Sequence, residues 1–193
     1  MSLDISYYRK INNSYNANEI VSKKESELYS LKQHMSNTFS DSLDFHDETL
    51  RNAVKQRFVI SYYKDENKKK ITAFPNEVLN IGDMIDCFGM KWLTTYVNPD
   101  QQVYTKGIIQ QTNYILPFQT TTSTIINEHC IVIDVTKSSS TGEDEGRVIT
   151  LSDTQRAILI QYNENTKYLL EGKRLFIDQL CDKPKVYKIT KAD

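Results

Sequence analysis

The hydrophobic positions near the start of the chain repeat with the period of an α-helix. Steps of seven, three, four and four residues separate them, which places them along one helix face. Asn18 can cap the first turn, where Glu19 suits the helix dipole. The apolar stripe is narrow, so we expect this amphipathic helix to lie on a sheet or on a neighbouring subunit. The stripe consists of Val21, Leu28, Leu31, Met35 and Phe39.

Beyond residue 40 the hydrophobic period changes to two, which is the period of a half-buried strand. Short strand-like runs follow one another, with turn signals every 8–14 residues. Phe88-Gly89 predicts a tight hairpin in which Gly89 supplies a positive φ, and Gly107 predicts a bulge in a longer strand. The pattern predicts a mainly β fold with one N-terminal amphipathic helix (α+β), built as a small antiparallel barrel or sandwich.

The predicted elements divide the chain into four parts. Residues 1–40 form an N-terminal arm and the helix, and residues 41–135 form a β-barrel-like domain. Residues 136–146 are a flexible acidic loop, and the strands of 147–193 pack on the same barrel. The last strand-like run reaches Lys191, two residues before the end, so we expect the chain to be a piece of a longer protein.

Charge and cysteine content narrow the functional class. The 193 residues carry 24 basic and 25 acidic side chains, so the net charge of −1 provides no general attraction to nucleic acid or to an acidic membrane. No apolar run approaches 18 residues, and we expect neither a membrane span nor a signal peptide. The three cysteines lie far apart without a CxxC spacing, which suits reduced thiols in the cytoplasm and argues against a zinc knuckle.

The sequence contains no recognisable catalytic set. Phosphate-binding glycine loops, zinc-protease motifs and nucleophile elbows are all missing. His46, Asp47 and Glu48 could supply acid, base or metal-ligand groups, but three consecutive side chains rarely converge on one point, and a polar turn explains them better. We therefore expect no catalytic, cofactor-binding or metal-binding residues, no cofactor and no enzymatic activity.

A nucleic-acid-binding barrel is the alternative hypothesis. Trp92, Tyr96 and Tyr104 could form an aromatic surface on which bases stack. Such a surface needs a basic groove, yet only Lys91 and Lys106 lie close to these aromatics in sequence. A single tryptophan inside an alternating strand is also more often a core residue than a stacking platform.

Five short motifs follow the helix in a fixed order. They are Leu79-Asn-Ile-Gly82-Asp83, Lys91-Trp92-Leu93-Thr94, Tyr104-x-Lys106-Gly107 with Thr112-Asn113, Tyr162-Asn-Glu-Asn-Thr166, and Gly172-Lys-Arg174-Leu-Phe-Ile177. From about residue 15 to the end, this order resembles the head–tail joining proteins (head-closure, connector-type) of long-tailed phages and prophages of Gram-positive bacteria.

The resemblance implies a non-enzymatic virion protein that forms a homo-oligomeric ring under the portal. Its partners would be portal or tail components, and DNA would pass through the channel without sequence-specific binding. The protein would be located in the virion, and in the host cytoplasm during assembly, with no role at a membrane. Glu143, Asp144 and Glu145 are then candidates for a channel loop that repels phosphates. Val21, Leu28, Leu31 and Met35 are candidates for a subunit or portal contact.

Overall fold

The computed structural model describes residues 23–98, 103–120, 124–134, 156–177 and 186–192. Within these residues the chain forms one α-helix, eleven strands and a single 3-10 turn at Thr166–Tyr168. The elements in chain order are α1 (Lys23–Ser40), β1 (Phe45–Arg51), β2 (Val54–Tyr62), β3 (Lys68–Ala73), β4 (Met84–Cys87), β5 (Met90–Val97), β6 (Lys106–Gln111), β7 (Tyr114–Gln119), β8 (Ile125–Asp134), β9 (Arg156–Ile160), β10 (Arg174–Phe176) and β11 (Val186–Lys188).

The first six strands close into an antiparallel barrel in the order β1-β2-β3-β6-β5-β4. The ladder between β1 and β4 closes the circle through only two residue pairs, Leu50 with Asp86 and Arg51 with Ile85. The predicted fold class, mainly β with an N-terminal helix and a small antiparallel barrel, is confirmed.

Alternate residues of the barrel strands point inward and fill the barrel with apolar side chains. Phe58, Ile71, Ile85 and Ile109 are each 0% exposed, so four different strands contribute side chains that no water reaches. The rest of this barrel core comprises Ile60, Ala73, Leu79, Cys87 and Trp92.

Two glycines of the barrel have different roles. Gly89 has a φ of +69° in the turn between β4 and β5, which confirms the predicted hairpin. At Gly107 the expected bulge is not found in its own strand, because the register shift lies opposite, between Thr94 and Tyr96. The bulged strand brings the Tyr96 carbonyl so close that a Cβ at position 107 would lie 2.6 Å from it. Glycine is therefore required by close backbone approach.

The remaining described strands form a separate C-terminal unit. Strands β7, β8 and β9 form an antiparallel sheet, and the pair β10–β11 packs on one face of it. A closed barrel has no free edge, so the strands that follow it must build a sheet of their own. The sequence-based barrel range of 41–135 therefore takes in two strands of this second sheet. The described strands of 147–193 pack on that sheet and not on the barrel.

A short junction connects the C-terminal unit to the barrel. The Asn113 side chain imitates a peptide group, donating to the Val132 carbonyl at 2.9 Å and accepting from the Val132 amide at 2.8 Å. Ile131 of β8 packs with Met84 and Leu93 on the outside of the barrel. Gln161 adds a hydrogen bond of 2.6 Å to the Asn52 side chain. These contacts seat the C-terminal unit against β4 and β5.

Helix α1 contacts the barrel mainly through its C-terminal end. The Phe39 ring meets Tyr104 at 5.2 Å and Phe74 at 6.4 Å, both edge to face. Lys32 also donates to the Asn76 side chain at 2.9 Å. No residue between Lys23 and Ser40 is buried, so this helix keeps an accessible surface along its whole described length.

Candidate interaction site

The predicted apolar stripe of the helix is accessible. Leu31 is 52% exposed, and Leu28 and Met35 are half-buried. Val21 lies outside the described residues, as do Glu143, Asp144 and Glu145 of the predicted channel loop. Three of the four candidate contact residues (Leu28, Leu31 and Met35) are thus accessible on one helix face and available to another protein surface, whereas Phe39 of the same stripe packs on the barrel.

The three aromatic residues of the alternative hypothesis do not share a surface. Trp92 is 1% exposed inside the barrel, so its ring has no free face on which a base could stack. Tyr96 is 52% exposed on the same strand, and Tyr104 is half-buried against Phe39 of the helix. The expectation that a single tryptophan belongs to the core is confirmed.

The candidate chemical groups are engaged in packing and in surface ion pairs. The His46 ring lies edge to face against Phe88 at 4.8 Å, and Glu48 forms an exposed ion pair with Lys55 at 3.2 Å. Within the described ranges, no group of three His, Cys, Asp or Glu side chains could hold a metal ion. The polar-turn prediction for residues 46–48 is wrong, because all three lie within strand β1.

Two buried cysteines are held in the protonated form. Burial raises the pKa of the Cys87 thiol from 9.0 to about 12, with a contribution from Asp86 and partial opposition from Lys69. Burial likewise raises the pKa of Cys130 to about 11, opposed by a hydrogen bond from the Leu116 backbone. A protonated thiol is a poor nucleophile at neutral pH. Because neighbouring residues of a strand point to opposite faces, His129 does not lie against the Cys130 thiol as the base of a catalytic Cys–His pair would.

The loop after β9 is a structural turn, as its composition suggests. The Asn163 side-chain oxygen accepts from the amides of Asn165 and Thr166, each at 2.9 Å. The Thr166 hydroxyl donates to the Gln161 carbonyl at 2.7 Å. The amide groups of Asn163 and Asn165 both donate to Glu128 of β8. These internal bonds use the polar groups that a ligand would need.

A buried carboxylate at the barrel seam escapes sequence reasoning. Asp83 is 6% exposed and accepts from Arg51 at 2.6 Å, from the Asn52 side chain at 2.7 Å and from the Asn80 amide at 2.7 Å. The hydrogen bonds compensate for removing the charge from water. They join the β1–β2 turn to the entry of β4, so Asp83 is a structural clasp where the barrel closes. Only the adjacent Gly82, which marks a turn, hints at it in the sequence.

A cleft with a volume of about 1510 Å³ lies between the barrel and the C-terminal unit. Its barrel side comes from the β4–β5 hairpin, the start of β5 and Gln111, and its other side comes from β10 and the preceding loop. Strand β7 runs through it, since nearly every residue from Tyr114 to Thr120 lines the cleft. Exposed apolar side chains are concentrated there, namely Met90, Ile115, Ile125, Leu170 and Phe176.

The charged residues of the cleft are mostly cationic. Asp86 is the acidic residue among its lining residues, and it is paired with Lys91 at 3.1 Å. Lys173 donates to the Gln119 carbonyl, which does not neutralise its charge. Arg174 is exposed and forms no ion pair with any described residue. The cleft thus combines apolar side chains with two positive charges that have no acidic partner among the described residues, which is a combination suited to binding.

The architecture is thus a closed β-barrel with an accessible helix, followed by the C-terminal unit of strands β7 to β11. The comparison with protein families concerns that second unit. Residues 114–193 match a family model described as the YomX C-terminal domain. YomX is a phage- or prophage-type protein of Bacillus, and the match indicates a phage-related protein. It covers less than half of the chain and begins at the first residue of β7, so it coincides with the C-terminal unit.

Other comparisons add nothing to this match. No curated protein and no solved structure matches the chain. In the described part of the chain, no helix is long and apolar enough to cross a membrane.

Proposed function

We propose that this protein is a non-enzymatic structural component of a phage virion, at the junction of head and tail. The observation that carries the proposal is the match of 114–193 to a phage-type domain whose first residue is also the first residue of a separately packed unit. Sequence comparison and packing give the same domain boundary, which supports the interpretation that residues 114–193 form a domain of the same kind as the matched family. The order of motifs from about residue 15 onward supports the finer assignment to head closure.

In this proposal the protein assembles as a ring under the portal. A ring subunit needs two different contact surfaces, because a head-to-tail interface joins one patch to another. The accessible stripe of Leu28, Leu31 and Met35 supplies one of them. DNA passes through the central channel without sequence-specific contacts, and the partners are portal or tail proteins. The protein is present in the virion, and in the host cytoplasm while virions are assembled.

The nucleic-acid-binding barrel is the weaker candidate. Burial of Trp92 removes the strongest stacking residue from the surface. Binding of labelled single-stranded DNA at moderate salt tests this hypothesis, because a buried tryptophan ring would respond little to a ligand on the surface.

Deleting the gene from the phage or inducible prophage that encodes this chain tests the proposed function. We expect filled heads and separate tails in electron micrographs, with joining restored when the gene is supplied in trans. A second strain carrying Leu31→Asp, which charges the helix stripe, should show the same defect, whereas Lys23→Gln on the exposed side should not. Normal joined virions from the deletion strain would contradict the proposal.

A further inference from the structure

The free edge of β7 is the feature that carries an inference beyond the proposed function. In the described structure the sheet order is β7-β8-β9, so β7 pairs with β8 on one side only. Unpaired strand edges are templates for another strand, and natural proteins cover or disrupt them when they are not used. The β7 edge faces the cleft, which has room for an extended chain.

The ladder shows which backbone groups of β7 point to the open side. The Thr120 amide donates to the Thr124 carbonyl at 3.0 Å and continues the β7–β8 register. Antiparallel pairs alternate between bonded and non-bonded, so the backbones of Phe118 and Leu116 bond to β8. Those of Ile115, Pro117 and Gln119 therefore point outward. The hydrogen bond from Lys173 to the Gln119 carbonyl confirms that direction.

Pro117 does not close this edge. Its missing amide hydrogen lies on the outward side, where it costs the β7–β8 ladder nothing. An added strand still finds a donor and an acceptor at Ile115, an acceptor at Pro117 and a donor at Gln119. One proline in the middle of the edge reduces random pairing and leaves a distinct pattern of hydrogen bonds for a specific strand.

The side chains beside the edge define what such a strand must carry. On the face of the sheet away from β10, Ile115 is 51% exposed and Ile125 71%, so apolar side chains of the incoming strand would cover surface that now faces water. Lys173 and Arg174 add two positive charges without acidic partners among the described residues. Carboxylates on the incoming strand would complete these pairs.

We propose that the cleft is a docking site for an extended segment of another protein. That segment adds as a strand to the β7 edge, places the apolar side chains of one face against Ile115, and directs the carboxylates of its other face toward Lys173 and Arg174. Strand addition of this kind takes affinity from backbone hydrogen bonds and specificity from alternate side chains. The inference rests on the cleft and not on the proposed place in the virion.

An amide NMR titration of the full chain tests the docking site. The probe is a capped peptide of sequence Ser-Val-Glu-Val-Asp-Val-Thr-Ser, added up to about 2 mM, a range that detects weak binding. We expect shifts concentrated at the amides of Ile115 and Gln119 and in β10. A control peptide with Gln and Asn in place of the acids should bind roughly fivefold to tenfold more weakly.

Variants of the protein separate strand addition from other binding. Ile115→Pro removes an outward donor and leaves the β7–β8 bonds in place, so it should abolish the shifts, whereas Ile115→Val should retain them. If Ile115→Pro does not fold, the pair Arg174→Gln and Lys173→Gln serves instead and should weaken binding of the acidic peptide to the level of the control peptide.

Four results would overturn the docking site. Two concern the peptides: no β7 shifts at the highest peptide concentration, or equal binding of both peptides. The third is β7 shifts with a dT oligonucleotide but not with peptide. The fourth is β7 signals that self-association already broadens before peptide is added, which would make a second copy of the chain the occupant. The gene deletion can fail or succeed independently, because this titration uses only the isolated chain.

Discussion

The barrel and the C-terminal unit are both small β structures, but they protect their backbones and cores differently. The barrel closes on itself, and its core residues are between 0% and 9% exposed. In the C-terminal unit five core residues are buried, and eight more apolar side chains around them remain half-buried. Among the described strands, β7 pairs with β8 on one side only. The barrel therefore buries its core within one closed sheet, whereas the C-terminal unit leaves much of its apolar surface half-buried.

The largest expected effect distinguishes the two cores. Phe58→Ala should lower the free energy of unfolding by about 3–5 kcal/mol, because a fully buried ring leaves a cavity in a closed barrel. Phe118→Ala in the C-terminal unit should cost about 1 kcal/mol less, since half-buried neighbours can close part of the gap. Chemical denaturation of both variants measures the difference. Tyr62→Ala, at an exposed position of the same strand as Phe58, is the control and should change little.

Breaking the clasp at the barrel seam should have the next largest effect. Asp83→Ala removes the acceptor for Arg51 and Asn52 and leaves a half-buried guanidinium without its partner, at a cost of about 3 kcal/mol. The loss should appear in the barrel first, because β1 and β4 share only two residue pairs. Hydrogen exchange should accelerate in these strands before it does in β8. Equal acceleration in both units would contradict a local clasp.

Gly107→Ala should destabilise the barrel by about 2 kcal/mol, because the new Cβ would meet the Tyr96 carbonyl at 2.6 Å. A Cβ at Gly82 meets no atom within 4 Å, and Gly82→Ala should cost only the roughly 1 kcal/mol of its positive φ. Thermal unfolding of the two variants separates steric clash from backbone strain. Equal losses would show that β5 moves away without cost.

The buried thiol of Cys87 gives the barrel a pH dependence. Its pKa is raised from 9.0 to about 12 in the folded state, so the unfolded chain loses this proton first as the pH rises. Stability from the neutral thiol is complete below pH 9 and decreases between pH 9 and 12, by about 1.4 kcal/mol per pH unit at most. Denaturation at pH 7.5 and at pH 10 (about one unit above the unfolded pKa) measures the loss. Cys87→Ala should lose less stability between these two pH values. The loss that remains includes the contribution of the buried Cys130 thiol.

The smallest expected effect is a gain. Ala53 has a φ of +67° in the turn after Asn52, a pair of positive values that favours Asn-Gly. Ala53→Gly should raise the free energy of unfolding by about 0.5–1 kcal/mol, since glycine adopts this conformation without strain. Ala53→Val should have the opposite sign, because a β-branched side chain suits this region least. Melting temperatures of the two variants give the sign directly.

Sequence periodicity was enough to predict the helix, the strands and the barrel class, and to place Gly89 in a hairpin turn. It could not predict where one sheet ends and the next begins. Gln111, Thr112 and Asn113 look like the continuation of a strand, and only the Asn113 pairing with Val132 shows the change of sheet. The cleft escaped prediction for the same reason, since Arg174 and Ile115 are far apart in the chain and line one cleft only because the two strands pack together.

The sequence alone determined what each residue can do locally. Alternation along the strands, the positive φ of Gly89 and the protection of a single tryptophan in the core all follow from side-chain type and neighbouring positions. Tertiary structure decided which edge stays open and which charges lack a partner. Closure of the barrel depends on register between β1 and β4, and that closure places β7 in a separate sheet. These are relations between distant residues, and local periodicity contains no information about them.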